Sequence, residues 1–264
     1  MAIPFLKWAG GKRWFTSRYL DILPQKYNRY IEPFVGSGAL FFALEPQEAV
    51  IGDINKPLVE TYMAIKDDWE QVLEYLRTHS VQHSKEYYYS VRATLPETIH
   101  QRAARFIYLN RTCWNGLYRV NKAGNFNVPI GTKTNIILDT DDFKKLAKLL
   151  ENTTIMHSDF EAIIDSAQEG DLVFADPPYT VKHNNNGFVK YNEDMFKWED
   201  QVRLRDAIVR ATERNVKIIV TNANHSSIIE LYSNFKRKVI SRASVIAASN
   251  NNRGTYEELI IAKY

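Results

Sequence analysis

The chain has a single cysteine, Cys113, among its 264 residues, and its six histidines lack the paired spacing of a zinc helix. An internal disulfide and a metal site built from several cysteines are therefore excluded, and we expect no bound metal. No apolar run approaches the length that spans a membrane, and the first residues lack the pattern of a secretory signal. We therefore expect a cytoplasmic protein without a membrane partner.

Acidic residues are missing from three long segments, although the net charge of the whole chain is only +3. Residues 1–20, 98–138 and 231–256 contain no Asp or Glu, and each contains several Lys or Arg. Three such segments favour a face that binds a polyanion, with nucleic acid as the first candidate. Chance clustering of basic residues on separate faces is the alternative.

What is present is the composition of a globular protein, with 45% hydrophobic and 25% charged residues. Apolar runs that end in turn residues alternate with helical patterns, which predicts an α/β sheet. Near the carboxyl terminus, strand-like runs at 238–248 and 257–264 flank an Asn-rich turn at 250–254. They predict an antiparallel hairpin.

Helical periodicity interrupts this alternation from about residue 56 to residue 136. The interruption predicts an inserted, mainly helical domain at 56–136 within a core domain made of residues 1–55 and 137–264. An acid-capped helix is predicted at 138–150, and a polar loop at 184–187.

The motif Asp176-Pro177-Pro178-Tyr179 directly follows an apolar run at 172–175 that reads as a buried strand. Because proline has no N–H to donate, the chain must leave the sheet at Asp176. In open α/β sheets, ligands bind at this carboxyl edge. The alternative is a strand that ends in a turn with a solvated Asp.

Two further strand-like runs end in features that suit a ligand. One leads into Gly36-Ser37-Gly38 before a helix, but Phe41 stands where a dinucleotide fingerprint has its third glycine, which disfavours a nicotinamide enzyme. The next ends at Asp53, 53 − 36 = 17 residues after Gly36, where an acid can accept ribose hydroxyl hydrogens. The alternative for Asp53 is a helix cap for the segment after Asn55.

The acid-free segment 98–138 contains two short strand-like runs around the turn 122–125, which predict a β-hairpin. On such an arm, Arg119 could form two hydrogen bonds to guanine, and Leu117 could pack against a thymine methyl. A basic hairpin that is merely solvated is the alternative.

A carboxylate and a proline carbonyl at the end of a strand suit a reaction on a planar amine. The exocyclic amine of a base is a poor nucleophile, and two fixed acceptors for its hydrogens favour the pyramidal nitrogen that can attack. The ring of Tyr179 can stack on the base. A base in a duplex must be flipped out to reach such a pocket.

The chain resembles the Dam family of DNA adenine-N6 methyltransferases over nearly its whole length. Five segments match the family and occur in its order: 5–12, 32–38, 53–55, 109–129 and 176–179. The resemblance implies a Rossmann-like methyltransferase sheet. It also implies that S-adenosyl-L-methionine is the methyl donor and that the substrate is double-stranded DNA, with GATC as the site.

The resemblance also implies roles for individual residues, with Asp53 at the ribose of the cofactor and Asp159 at its adenine amino group. The implied catalytic residues are Asp176, Pro177, Pro178 and Tyr179. The implied cofactor-binding residues are Trp8, Lys12, Gly36, Gly38, Asp53, Asp159, Phe160 and Asp176. The implied DNA-binding residues are Lys7, Asn115, Leu117 and Arg119. The basic residues Arg111 and Lys133, from the acid-free segment 98–138, are predicted to bind DNA as well.

Two other functions share these features. Cytosine-N4 methylation uses the same amine chemistry, and Asp rather than Ser at position 176 favours adenine. A DNA-binding regulator that keeps the fold without activity belongs to another class, and the intact motif at 176–179 disfavours it. The sequence leaves the oligomeric state open, and a monomer is compatible with it.

Overall fold

The computed structural model describes residues 2–121, 123–181, 196–243 and 255–264. The loop predicted at 184–187 and the turn predicted at 250–254 lie outside these residues. The helices, in chain order, are α1 (Arg13–Thr16), α2 (Ala39–Leu44), α3 (Lys56–Gln82), α4 (Lys85–Ala93), α5 (Ile99–Thr112), α6 (Phe143–Leu150), α7 (Phe160–Asp165), α8 (Trp198–Glu213) and α9 (Ser226–Leu231). The strands are β1 (Tyr30–Glu32), β2 (Ala49–Asp53), β3 (Thr153–His157), β4 (Leu172–Ala175), β5 (Lys217–Ala223), β6 (Lys236–Ala243) and β7 (Thr255–Lys263).

The chain divides into two compact units. Unit 1 comprises Met1–Ser17 and Val35–His157, and unit 2 comprises Arg18–Phe34 and Ser158–Tyr264. Unit 1 therefore contains the whole predicted recognition domain, 56–136, together with β2 and β3. The functional boundaries of that domain stay a prediction.

Unit 1 is mainly helical, and polar side chains determine where its helices begin. Asn55, Ser84 and Thr98 each accept a hydrogen bond from the backbone N–H three residues ahead, which satisfies an otherwise unpaired donor of the first turn. The first part of the helical pattern predicted at 56–136 forms α3, which kinks at Asp68. Strands β2 and β3 pair in parallel.

The helix predicted at 138–150 is shorter than expected. It begins at Phe143, because Asp142 caps it by accepting from the backbone N–H of Lys145. The preceding residues form a turn in which the carboxylate of Asp141 accepts from the backbone N–H of Leu138 at 2.8 Å. The predicted acid cap is thus confirmed, while the predicted start is wrong by one turn.

Unit 2 holds a mixed sheet in the order β1-β4-β5-β7-β6. The pairs β1–β4 and β4–β5 are parallel, and β7 lies antiparallel between β5 and β6. Every residue of β4 is buried, as the continuous apolar run before Asp176 predicts. The predicted α/β fold with an antiparallel carboxyl-terminal hairpin is confirmed.

The predicted hairpin in the basic segment is present in a reduced form. One antiparallel bridge joins Val120 to Phe126 and another joins Cys113 to Ile130, and a short 3₁₀ helix, Trp114–Gly116, precedes Val120. None of the helices described here is both long and apolar enough to cross a membrane.

Candidate active site and DNA-reading surface

In unit 1, the glycine turn after β1 is held from three sides. Gly36 has a φ of 47°, and a Cβ at this position would lie 2.7 Å from Cδ1 of Trp8, so only glycine fits. The carboxylate of Asp53 accepts from its N–H at 3.3 Å, and the buried hydroxyl of Tyr62 donates to its carbonyl at 2.9 Å. Gly38 follows with a φ of 65° and begins α2.

Asp53 is half-buried at the end of β2. Burial raises the pKa of its carboxyl to about 6, against the hydrogen bonds from the backbone N–H groups of Asn55, Gly36 and Ile54, which lower it. The cap of α3 is the side chain of Asn55, which accepts from Leu58. The helix-cap interpretation of Asp53 is therefore wrong, and its carboxylate instead organises the glycine turn.

Trp8 and Lys12 both lie in the amino-terminal segment of unit 1. The indole of Trp8 is half-buried and stacks on Tyr118, with a centroid distance of 5.8 Å. Lys12 is buried, and its ammonium donates to the carbonyl of Gly10 at 3.3 Å. Trp8 and Asp53 thus both contact Gly36. These three residues, all predicted to bind the cofactor, lie together in unit 1.

In unit 2, Asp159 and Phe160 begin α7 and share one arginine from α8. Asp159 caps the helix by accepting from Glu161, and Arg203 pairs with its carboxylate at 2.9 Å. The guanidinium of Arg203 also lies 4.9 Å from the centroid of the Phe160 ring, and that ring stacks on Phe34 at 5.3 Å. Arg203 is a residue that sequence reasoning missed.

Asp176 lies half-buried at the end of β4, as predicted. The hydroxyl of Thr221, on β5, donates to its Oδ1 at 2.6 Å and fixes the orientation of the carboxylate. Two residues on, the carbonyl of Pro178 accepts from the side-chain amide of Gln201 at 3.2 Å, and Asn222 donates to that amide's oxygen. Buried polar side chains therefore hold the loop after β4 in place.

Tyr179 donates its hydroxyl hydrogen to Oε2 of Glu258 at 2.7 Å. Burial raises the pKa of Tyr179 well above its ordinary value, and the charges of Asp176 and Glu258 raise it further. The phenol therefore stays protonated at neutral pH and acts as a donor.

Within unit 1, two segments that are 103 residues apart in sequence are clamped together by Asn110. Its side chain accepts from the backbone N–H of Lys7 at 2.9 Å and donates to the Lys7 carbonyl at 2.8 Å and the Gly116 carbonyl at 3.3 Å. Asn115 adopts a φ of 55°, which Asn tolerates better than most residues. Lys7 and the turn at Asn115 thus share one surface.

The remaining predicted DNA readers are exposed. Leu117 is 39% exposed, Lys133 is exposed, and Arg119 is exposed with its Nε donating to Asn127 at 3.1 Å. We name Lys7, Asn115, Leu117 and Arg119 the DNA-reading surface after the role that the sequence predicts for them, which stays a prediction.

Arg111 does not lie on this surface. It is 3% exposed and forms a two-pronged ion pair with Asp141, with both N–O distances at 2.6 Å. It also donates to the carbonyls of Phe5 and Ile136. Its hydrogen bonds are directed into the protein, and we therefore assign Arg111 to stabilising the fold rather than to DNA.

Comparison with known proteins decides the family. The model of the D12 class of N6 adenine-specific DNA methyltransferases matches residues 8–246. The chain belongs to this family.

Named relatives support the assignment along the full chain. The type II methyltransferase M1.LlaDCHI of Lactococcus lactis subsp. cremoris is 39% identical, over 99% of this chain and 95% of its own. The type II methyltransferase M.MjaIII of Methanocaldococcus jannaschii is 34% identical, over 99% of both chains. The DNA adenine methylase of Haemophilus influenzae is 29% identical, over 97% of this chain and 92% of its own.

This D12-class methyltransferase is therefore an adenine-specific enzyme that acts on DNA. The family assignment favours adenine over cytosine and an enzyme over a binding protein without activity. The predicted resemblance is confirmed.

Proposed function

We propose that this methyltransferase moves the methyl group of S-adenosyl-L-methionine to the N6 amine of an adenine flipped out of double-stranded DNA. The observation that carries the proposal is the carboxylate of Asp176, oriented by Thr221 at the end of β4 and followed by two prolines and Tyr179. When bound, S-adenosyl-L-methionine supplies an electrophilic methyl group.

The loop after β4 offers the acceptors that the amine needs. The carboxylate of Asp176 accepts one N–H of the adenine amine, and the carbonyl of Pro177 accepts the other. The carbonyl of Pro178 is less available, because one of its two lone pairs already accepts from Gln201. Fixed acceptors stabilise the positive charge that develops on nitrogen during attack. The ring of Tyr179 stacks on the flipped base, whose extraction costs a few kcal/mol.

The chemistry of the residues in each unit fits the proposed cofactor. In unit 1, Asp53 offers a carboxylate to the two ribose hydroxyls, and Trp8 offers a ring face beside the glycine turn. In unit 2, Asp159 offers an acceptor to the adenine amine, and Phe160 offers a ring face.

The raised pKa of Asp53 predicts that cofactor affinity depends on pH. The folded pKa, about 6, lies above the ordinary value, so the carboxyl gains a proton as pH falls through 6 and loses capacity to accept from ribose hydroxyls. Calorimetric titration with S-adenosylhomocysteine should show full affinity at pH 8 and a progressive loss below pH 6.

The variant Asp53→Asn should remove this pH dependence. It should also weaken binding at pH 8 by about tenfold or more, because hydrogen bonds to a charged acceptor are lost. Asp21→Asn, at an exposed carboxylate, is the control, and its affinity for S-adenosylhomocysteine should depend on pH as that of the wild type does. A wild-type affinity that stays constant from pH 8 to pH 5 would contradict the proposed role of Asp53.

We further propose that residues 56–136, together with Lys7, read the DNA and that GATC is the site. The support is the match of Lys7, Leu117 and Arg119 to family readers, together with the exposure of all three side chains. Residues 1–55 and 137–264 then form the catalytic domain.

Arg119→Ala should relax or weaken sequence choice by about 1–3 kcal/mol, because a bidentate contact to guanine is lost. The measurement is the methylation rate on GATC duplexes and on duplexes with one changed guanine. Lys133→Ala, at another exposed cation, is the matched control and should weaken binding to all sequences alike if it contacts phosphate. A uniform loss for Arg119→Ala would make Arg119 a phosphate contact too.

The proposed function is tested by mapping methylated bases after incubating the purified protein and S-adenosyl-L-methionine with unmethylated genomic DNA. N6-methyladenine confined to GATC supports the donor, the base and the site together. N6-methyladenine at a different sequence overturns the GATC assignment alone. No modified base with an intact protein overturns the proposed donor and reaction.

A further inference from the structure

Glu258 is a buried acid in the middle of the sheet of unit 2. Its residue is 3% exposed, and β7 places it between Ala223 on β5 and Ile240 on β6. Taking a carboxylate out of water is unfavourable unless hydrogen bonds or charges compensate. The burial of Glu258 among the apolar residues of β7 therefore indicates that its carboxylate has a specific partner or function.

The side chain of Glu258 reaches the loop that carries the proposed chemistry. Its Oε2 accepts the hydroxyl hydrogen of Tyr179 at 2.7 Å. Thr221, which holds Asp176, lies two residues before Ala223 on β5 and therefore on the same face of the sheet as Glu258. The β5–β7 pair thus contacts two residues of the motif with two different side chains.

The two contacts differ in what they can do. The hydrogen bond from Thr221 orients a carboxylate, whereas Glu258 fixes the hydroxyl end of an aromatic ring and places a negative charge beside it. A ring stacked on a base that becomes positively charged stabilises it more strongly when a fixed charge increases the electron density of that ring.

We propose that Glu258 is a positioning residue for methyl transfer, which holds the Tyr179 ring against the target adenine and stabilises, through that ring, the positive charge that develops on N6. This inference rests on the proposed assignment of residues 176–179 to the target base. It requires the charge of Glu258 as well as its hydrogen bond.

Glu258→Gln separates these two properties, because the Gln oxygen can still accept from Tyr179 but carries no charge. The rate of a single turnover should fall about tenfold. The affinity for GATC duplex DNA and for S-adenosylhomocysteine should stay within about twofold. The substitution keeps the hydrogen bond from Tyr179 and removes only a charge that acts on the transition state. Glu257→Gln, at the exposed neighbouring acid that pairs with Asn224, should react at the wild-type rate.

A double-mutant cycle with Tyr179→Phe tests whether Glu258 acts through the tyrosine. Tyr179→Phe keeps the ring and removes the hydroxyl, so adding Glu258→Gln to it should slow the reaction by less than about twofold further. If the double variant instead loses rate by the product of the two single-variant losses, the residues act independently and the inference is overturned. If Glu258→Gln fails to fold, the single-turnover rate of Tyr179→Phe is the test. A wild-type rate for Tyr179→Phe would overturn the inference.

The proposed function and this inference fail in different ways. An active Asp176→Asn variant removes residues 176–179 from the reaction and overturns both. An inactive Asp176→Asn variant together with a wild-type rate for Glu258→Gln overturns only the role of Glu258.

Discussion

Asp176→Asn should abolish methyl transfer and leave the protein folded. The substitution keeps the size of the side chain and an oxygen that can accept from Thr221, but it removes the negative charge that would stabilise the developing charge on the adenine amine. Losing such a fixed electrostatic contact lowers rates by roughly 10²–10³-fold or more. Single-turnover transfer from labelled S-adenosyl-L-methionine to a GATC duplex measures the loss.

Asp206→Asn is the matched control for this experiment. Asp206 lies on α8 in the same unit, half exposed, and pairs with its neighbour Arg205. It should retain the wild-type rate and melting temperature. An Asp176→Asn protein that is unfolded would instead support the interpretation of Asp176 as a residue that forms the turn after β4.

The ends of the strands could be predicted from sequence because local physics determines them. Apolar runs stopped by Pro177 or by an acid mark where β2 and β4 leave the sheet, and this placed Asp53 and Asp176 correctly. No local sequence pattern identifies Thr221 as the partner of Asp176, or Glu258 as the partner of Tyr179. These residues follow Asp176 and Tyr179 by 45 and 79 positions, and only the register of β5 and β7 brings them to the loop.

The contacts of Asn110 could not be predicted either, because they also join segments that are far apart in the sequence. In the sequence Asn110 is one of several polar residues in α5, and its contacts to Lys7 depend on packing between segments 103 positions apart. Asn115 carried a usable signal, because an Asn-Gly pair after a helix is typical of positive φ.

Arg111 shows why charge patterns alone misassign basic residues. The acid-free segment ends at Leu138, and the acid that pairs with Arg111 lies three positions beyond it, at Asp141. Counting charges along the chain does not reveal burial, so a structural arginine was grouped with the DNA contacts. The turn that shortened α6 is the same turn that delivers Asp141 to Arg111.

Asp141→Asn should therefore destabilise the protein strongly. The guanidinium of Arg111 and the carboxylate of Asp141 are 3% and 5% exposed, and removing one partner leaves the other charge buried without compensation. Such a loss costs about 3–5 kcal/mol of unfolding free energy. Thermal unfolding should show a melting temperature lower by roughly 6–20 °C.

Two comparisons separate this role from DNA binding. Lys145→Ala breaks the partly exposed pair with Glu45 in the same unit and should lower the melting temperature far less than Asp141→Asn, because water screens this pair. Arg111→Met combined with Asp141→Leu should recover much of the stability lost by either change alone, because no unpaired charge remains. If Arg111→Met instead weakened DNA binding without lowering the melting temperature, Arg111 would return to the DNA contacts and the ion pair would be incidental to folding.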